Sequence, residues 1–167
     1  MSSELPPEQL ITKLDVSVEP SEKIKTNLKE YLRNYRILTE QIEILSGLII
    51  NIGIDFSIVA KPNSSKNVVL SNCLLALKEY FKVDNWQIGQ AIIISDIYEI
   101  LHNIEGVLSV TDVKARNLTT SNSNAGLTYS TTQFTVMENN ALGVITPPKN
   151  AIFYVKYPNN NLRGSVL

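Results

Sequence analysis

The chain carries one histidine and one cysteine, so the side-chain chemistry open to it is narrow. His102 falls beside the apolar stripe Ile100, Leu101 and Ile104 and reads as a partly exposed helix residue. Cys73 falls on an apolar face with Leu74 and Leu77, where an inert buried thiol is the ordinary outcome. One histidine excludes any mechanism that needs two, and no serine sits in a nucleophile elbow. One cysteine excludes an intrachain disulfide and a zinc site built on several thiolates. The seven glycines are scattered, and none falls in a phosphate-cradling spacing. Asp96 and Glu99 are neighbours on one predicted helix and, with Asp84, are the nearest thing to a hard-cation cluster. Their simpler role is to sit at the positive end of that helix. The expectation is a chain with no cofactor, no metal and no catalytic residues, hence not an enzyme.

Aromatic residues are the remaining candidates. Tyr31, Tyr35 and Tyr80 fit helix stripes and read as core. Trp86 lies in a loop before Gly89, where a tryptophan is either a lid on the core or an anchor at an interface. Tyr154 and Tyr157 flank the last predicted strand. Trp86, Tyr154 and Tyr157 are therefore the candidate interface residues. Basic residues do not cluster with the aromatics, so a single-stranded nucleic-acid platform is not expected.

The elements that would position these residues follow from periodicity. Ser21 can cap a first helix, in which Ile24, Leu28, Tyr31, Leu32 and Tyr35 form an apolar stripe. Residues 39–45 alternate and are predicted as a strand. Residues 48–59 are the clearest strand: Leu48, Ile50, Ile52, Ile54, Phe56 and Ile58 occupy every second position. Gly53 can mark a bulge or a close approach of another backbone. A second helix is predicted over 66–81. The run 92–94 is extended, and Ser95-Asp96 caps a third helix over 95–105, closed by Gly106 in a left-handed conformation. A strand over 107–116 has an imperfect pattern that a bulge would explain. Residues 117–131 read as a long surface loop. Short strands are expected over 132–137, 142–146 and 151–157, and no internal repeat is evident.

Composition agrees with a globular fold. The chain has 167 residues, 44% of them apolar and 19% charged, with a net charge of −1. That size hides roughly two-thirds of the unfolded surface and needs no staple. The near-neutral balance argues against a broad phosphate-binding surface. The start of the sequence lacks a signal-peptide pattern. The most apolar stretch, 48–60, is too short and too polar to span a bilayer as a helix. Two glycosylation patterns, at Asn63 and Asn117, fall in a chain with seventeen asparagines and read as chance. The expected architecture is α+β. It has a mixed sheet with two or three helices on one face, a strand–helix–helix–strand core and short C-terminal strands. Helices 66–81 and 95–105 should pack on a sheet containing 48–59 and 107–116. An arm over 1–20, an assembly domain over 21–160 and a tail over 161–167 complete the expected organisation.

One ordered set of motifs has a likeness. It comprises Tyr80-Phe81 followed by Trp86-Gln87-Ile88-Gly89-Gln90, then Ser95-Asp96-Ile97-Tyr98, then Glu105-Gly106-Val107-Leu108-Ser109-Val110. Upstream stand Tyr31-Leu32-Arg33-Asn34-Tyr35 and Ile50-Asn51-Ile52-Gly53-Ile54-Asp55-Phe56; Tyr154-Val155-Lys156-Tyr157-Pro158 stands near the end. Together they resemble the C-terminal region of the baseplate wedge proteins of contractile-tailed bacteriophages, the baseplate J-like family. The resemblance spans roughly residues 21–160. It implies a structural component of the virion tail baseplate, assembled in the host cytoplasm. The implied partners are copies of the chain itself and other wedge proteins, with no nucleic acid, membrane or small-molecule substrate. It transfers no catalytic residue. Strand–helix–helix–strand order also suits a small-molecule-binding regulatory module of ferredoxin-like type, which stands as the alternative.

Overall fold

The structure is a computed structural model that describes residues 21–35, 42–44, 46–120, 126–136 and 143–167. Contacts divide the chain into two units, residues 1–47 and 48–167. In the first, α1 (Glu22–Arg33) begins after Ser21 as the sequence predicts, although the Ser21 hydroxyl makes no capping bond. Its exposed side carries i,i+3 ion pairs from Lys25 to Glu22 and from Arg33 to Glu30. Of the strand predicted over 39–45, residues 39–41 and 45 lie outside the described residues. Residues 42–44 are not in a strand.

In the second unit, β1 (Leu48–Ala60) leads to α2 (Lys66–Tyr80), β2 (Ile92–Ile93), α3 (Ile94–His102) and β3 (Val107–Asn117). Then follow β4 (Val144–Ile145), β5 (Ala151–Tyr154), α4 (Pro158–Asn161) and β6 (Leu162–Val166). This is the expected α+β class, with a mixed sheet and helices packed against it. Every other strand of the main sheet pairs with β1. Strand β3 lies antiparallel to it over 52–60, with register shifts at Ser57/Ile58 and Val59/Ala60. Those shifts supply the bulge that the imperfect pattern of β3 calls for. Because the pair is antiparallel, the handedness rule for parallel crossovers does not apply. Strands β5 and β6 run parallel to β1 one after the other, β5 along 48–51 and β6 along 54–58. The single turn α4 fills the step between them. A Cβ on Gly53 would come within 2.8 Å of the Asn161 carbonyl oxygen, so glycine is what lets that turn approach β1.

The alternation of β1 builds the core. Ile50, Ile52, Ile54, Phe56 and Ile58 are all buried. They meet Val69, Cys73 and Leu77 of α2 and Ile94, Ile97 and Leu101 of α3. Burying each such side chain is worth about 1.5–3 kcal/mol. Helix α3 starts one residue before the predicted Ser95, because Ile94 turns inward and donates its amide to the Gly143 carbonyl. Gly106 takes the left-handed conformation, φ +92°, as its position predicts.

Three expectations give way. The tail over 161–167 is instead α4's last residue and strand β6, hydrogen-bonded into the sheet beside Ile54–Ile58. Leu162 is buried and Gly164 lies against the Phe56 ring and Leu70, so this segment completes the sheet. Its glycine and the preceding asparagines hide the strand pattern. Residues 117–131 are not a surface loop over their described part: Leu118, Thr119 and Tyr129 are buried. The strand predicted over 132–137 does not pair over the described residues, though Val136 is buried and Phe134 packs edge-on against Phe153. The shorter strands contract to two and four residues.

Replacing Gly164 tests β6 directly. A Cβ there would press on the Phe56 ring and on Leu70 Cδ1. Gly164→Ala is expected to lower unfolding stability by about 1–3 kcal/mol in urea titration. A free tail would leave the midpoint unmoved.

Candidate functional site

The second face of β1 is polar, and it gathers the least ordinary chemistry of the chain. Asn51, Gly53, Asp55 and Ser57 alternate with the core residues and point away from α2 and α3. Asn51 is buried, and three partners explain how it is tolerated. Its side-chain oxygen accepts the Ser130 amide at 2.6 Å, and its carbonyl accepts the Leu118 amide at 2.8 Å and Asn117 Nδ2 at 3.1 Å. Asn161, also buried, accepts the Tyr129 hydroxyl at 2.7 Å. One bond of 2.5 Å joins Arg116 Nε to Asp55 Oδ2, diagonally across the β1–β3 pair, since Arg116 stands opposite Gly53. The Arg116 side chain keeps 31% of its surface in solvent and that of Asp55 42%. Four buried atoms on this face make no hydrogen bond to the protein: Asn51 Nδ2, Asn161 Nδ2, Arg116 Nη2 and Asp55 Oδ1. They are three donors and one acceptor, and Arg116 Nη2 lies 3.2 Å from where a Cβ on Gly53 would stand.

The candidate interface residues separate. Trp86 is buried, its ring stacked on Phe81 at 5.5 Å and edge-on to Tyr80 at 5.6 Å. Its indole N–H donates to the Tyr80 carbonyl at 3.0 Å. The residue is the lid on the core end of α2, one of the two roles its loop position allows. It presents no surface as an anchor within this chain. Tyr154 and Tyr157 are half-buried. Burial, then the neighbouring Tyr157, raises the Tyr154 phenol above its ordinary value. Tyr157 packs edge-on to Tyr129 at 5.6 Å, with Lys156 Nζ 5.1 Å from its ring centre. Burial works to raise its pKa, but the Thr128 hydroxyl and Lys156 outweigh it, and the phenol is held below its ordinary value. Trp86 is thus remote from the polar face, whereas Tyr157 reaches its edge through Tyr129.

The residues weighed for catalysis stay apart. His102 is exposed at the end of α3. Cys73 is fully buried, and burial pushes its thiol above the ordinary range. Among the described residues no three His, Cys, Asp or Glu side chains gather as metal ligands. Among the same residues no helix is long and apolar enough to cross a membrane. Alternation puts Asn51, Gly53, Asp55 and Ser57 on one face toward solvent or a partner, but the residues that meet that face, Arg116, Tyr129, Ser130 and Asn161, were missed because they lie far away in the chain. The one available signal was the alternation of β1, which places Asn51 and Asp55 on the same side of Gly53.

A second surface is apolar. The stripe predicted for α1 is present, but Ile24, Leu28, Tyr31 and Tyr35 are exposed and no residue of α1 is buried. Comparison with protein-family models and with curated proteins finds no match for the chain.

Two substitutions separate the roles on the polar face. Asn51→Ala strands the Ser130 amide in a buried position and should cost about 1–3 kcal/mol. Asp55→Ala breaks a half-solvated pair and should cost no more than about 1 kcal/mol. Chemical denaturation of both variants checks the order. Trp86→Ala should cost about 3–5 kcal/mol. An unchanged unfolding midpoint for that variant would contradict the lid assignment.

Proposed function

We propose that this chain is a structural component of a contractile phage tail baseplate, of the wedge or inner-ring kind. It acts through protein contacts with copies of itself and with other wedge proteins, and carries out no catalysis. The observation that carries the assembly part is α1, an amphipathic helix whose stripe residues Ile24, Leu28 and Tyr31 are exposed. Such a face is stable only when another surface covers it.

The ordered motif set supports the choice of assembly. Its residues fall at joints of the fold. Phe81 ends α2, and Trp86 caps it by stacking. Gly89 turns the chain and donates its amide to Ala151. Gly106 sends α3 back into β3 through a left-handed turn. The near-neutral charge is compatible with protein partners in place of nucleic acid.

The reading places the chain in the virion. Antibody raised to the chain, with gold labelling of purified tailed particles under the electron microscope, tests it. Gold at the tail end distal to the head is the expected result. Particles free of label, with all the chain recovered in the unassembled fraction, would overturn the reading.

A further inference from the structure

We infer that the polar cover of β1 is built with water: Asn51 and Asn161 each hold an ordered, buried water molecule through the side-chain amide. The site lies wholly within residues 48–167 and does not rest on the baseplate reading. Both asparagines are 1% exposed. The cover takes the amide oxygen of each. Asn51 Oδ1 accepts the Ser130 amide at 2.6 Å, and Asn161 Oδ1 accepts the Tyr129 hydroxyl at 2.7 Å. Each amide nitrogen is then out of solvent with no acceptor on the protein. A buried donor left unmet costs its full desolvation, so folded proteins meet such groups with protein or with ordered water.

Turning the amides over does not remove the demand. Asn51 is fixed in its orientation, because the group it meets on Ser130 is a backbone donor. A turned Asn161 would give its nitrogen to the Tyr129 oxygen and leave its own oxygen unmet instead. Either way each amide keeps one atom without a partner. Water answers both cases, because it donates as well as accepts.

The chemistry of the face selects water over the other small occupants. Arg116 Nη2 and Asp55 Oδ1 are also buried and unmet. Arg116 Nε is bonded to Asp55 Oδ2 at 2.5 Å, so the guanidinium charge is already balanced and an anion gains no net positive field. A cation would meet three donors, and among the described residues no three acidic, histidine or cysteine side chains gather to hold one. An apolar occupant would leave every one of these atoms unmet. Water accepts from the amides and can donate onward, since the Tyr129 hydroxyl keeps lone pairs after donating to Asn161. Two to four polar partners are what a buried water needs.

A crystal structure of the full chain at a resolution that shows ordered solvent tests this. A water peak is expected about 2.7–3.2 Å from the side-chain amide of Asn51, and another contact of that length is expected at Asn161. Nuclear Overhauser transfer from water to the side-chain amide protons of the isotope-labelled chain tests it in solution. Asn51 is the decisive reporter, because its protein partner is a backbone amide and not an exchanging hydroxyl. Its cross peak should carry the sign of a long-lived water, whereas that of the exposed Asn63 should carry the sign of passing solvent. A direct bond from the Asn51 or Asn161 nitrogen to a protein oxygen overturns the inference. So does a cavity with no density, a bound ion in place of water, or an Asn51 cross peak of the same sign as that of Asn63. None of these results alters the gold-labelling outcome, so the buried water and the baseplate reading fall separately.

Discussion

Strand β1 must satisfy two opposite environments at once, and the second unit is organised around that demand. From Ile50 to Ile58 its even-numbered side chains are isoleucine and phenylalanine, which gain only by leaving water. Its odd-numbered side chains include an asparagine and an aspartate, which lose by leaving water unless they are hydrogen-bonded. Two helices cover the first face. The second is covered by the buried Leu118 and Tyr129, by the Ser130 backbone and by the turn at Asn161. The two covers are different in kind, and each matches the face it meets. A hydrophobic lid over Asn51 would have left its amide and carbonyl without partners.

That division explains what could be read in the sequence and what could not. The apolar half was legible. Period two located β1 to within a residue, and period 3.6 found Val69, Cys73 and Leu77 on one face of α2. The left-handed Gly106 was legible too, because a glycine after an apolar stripe has few other uses. The polar half was not. Thr119, Tyr129 and Ser130 sit in a run of threonine, serine and asparagine, which has the composition of a solvated loop. Nothing local distinguishes a serine that faces water from one whose amide is held by Asn51, 79 residues away. The last strand failed for a related reason. Leu162, Gly164 and Val166 alternate, but glycine removes the middle apolar mark, and the mark's absence is what lets Phe56 fit.

The candidate aromatics show the same limit. Loop position alone left Trp86 between two roles, and the deciding fact was its distance from Phe81 and the Tyr80 carbonyl. The α1 stripe was legible as a pattern but carried the opposite meaning from the one expected. Tyr31 and Tyr35 read as core because a stripe usually faces its own domain; here both side chains are exposed. Periodicity reports that a face is apolar and is silent about whose surface covers it.

The pairing of β6 with β1 ties the fold to the order of synthesis. Ser57 and Ser165, hydrogen-bonded across that pair at 2.8 Å, are 108 residues apart in the chain. At roughly 5–20 residues per second, β1 leaves the ribosome about 5–20 s before the strand that will lie beside it. Through that interval an isoleucine-rich strand has one edge without its final neighbour, the condition under which strands pair with the wrong chain. Asn51, Asp55 and Ser57 give the other face of that waiting strand a polar character.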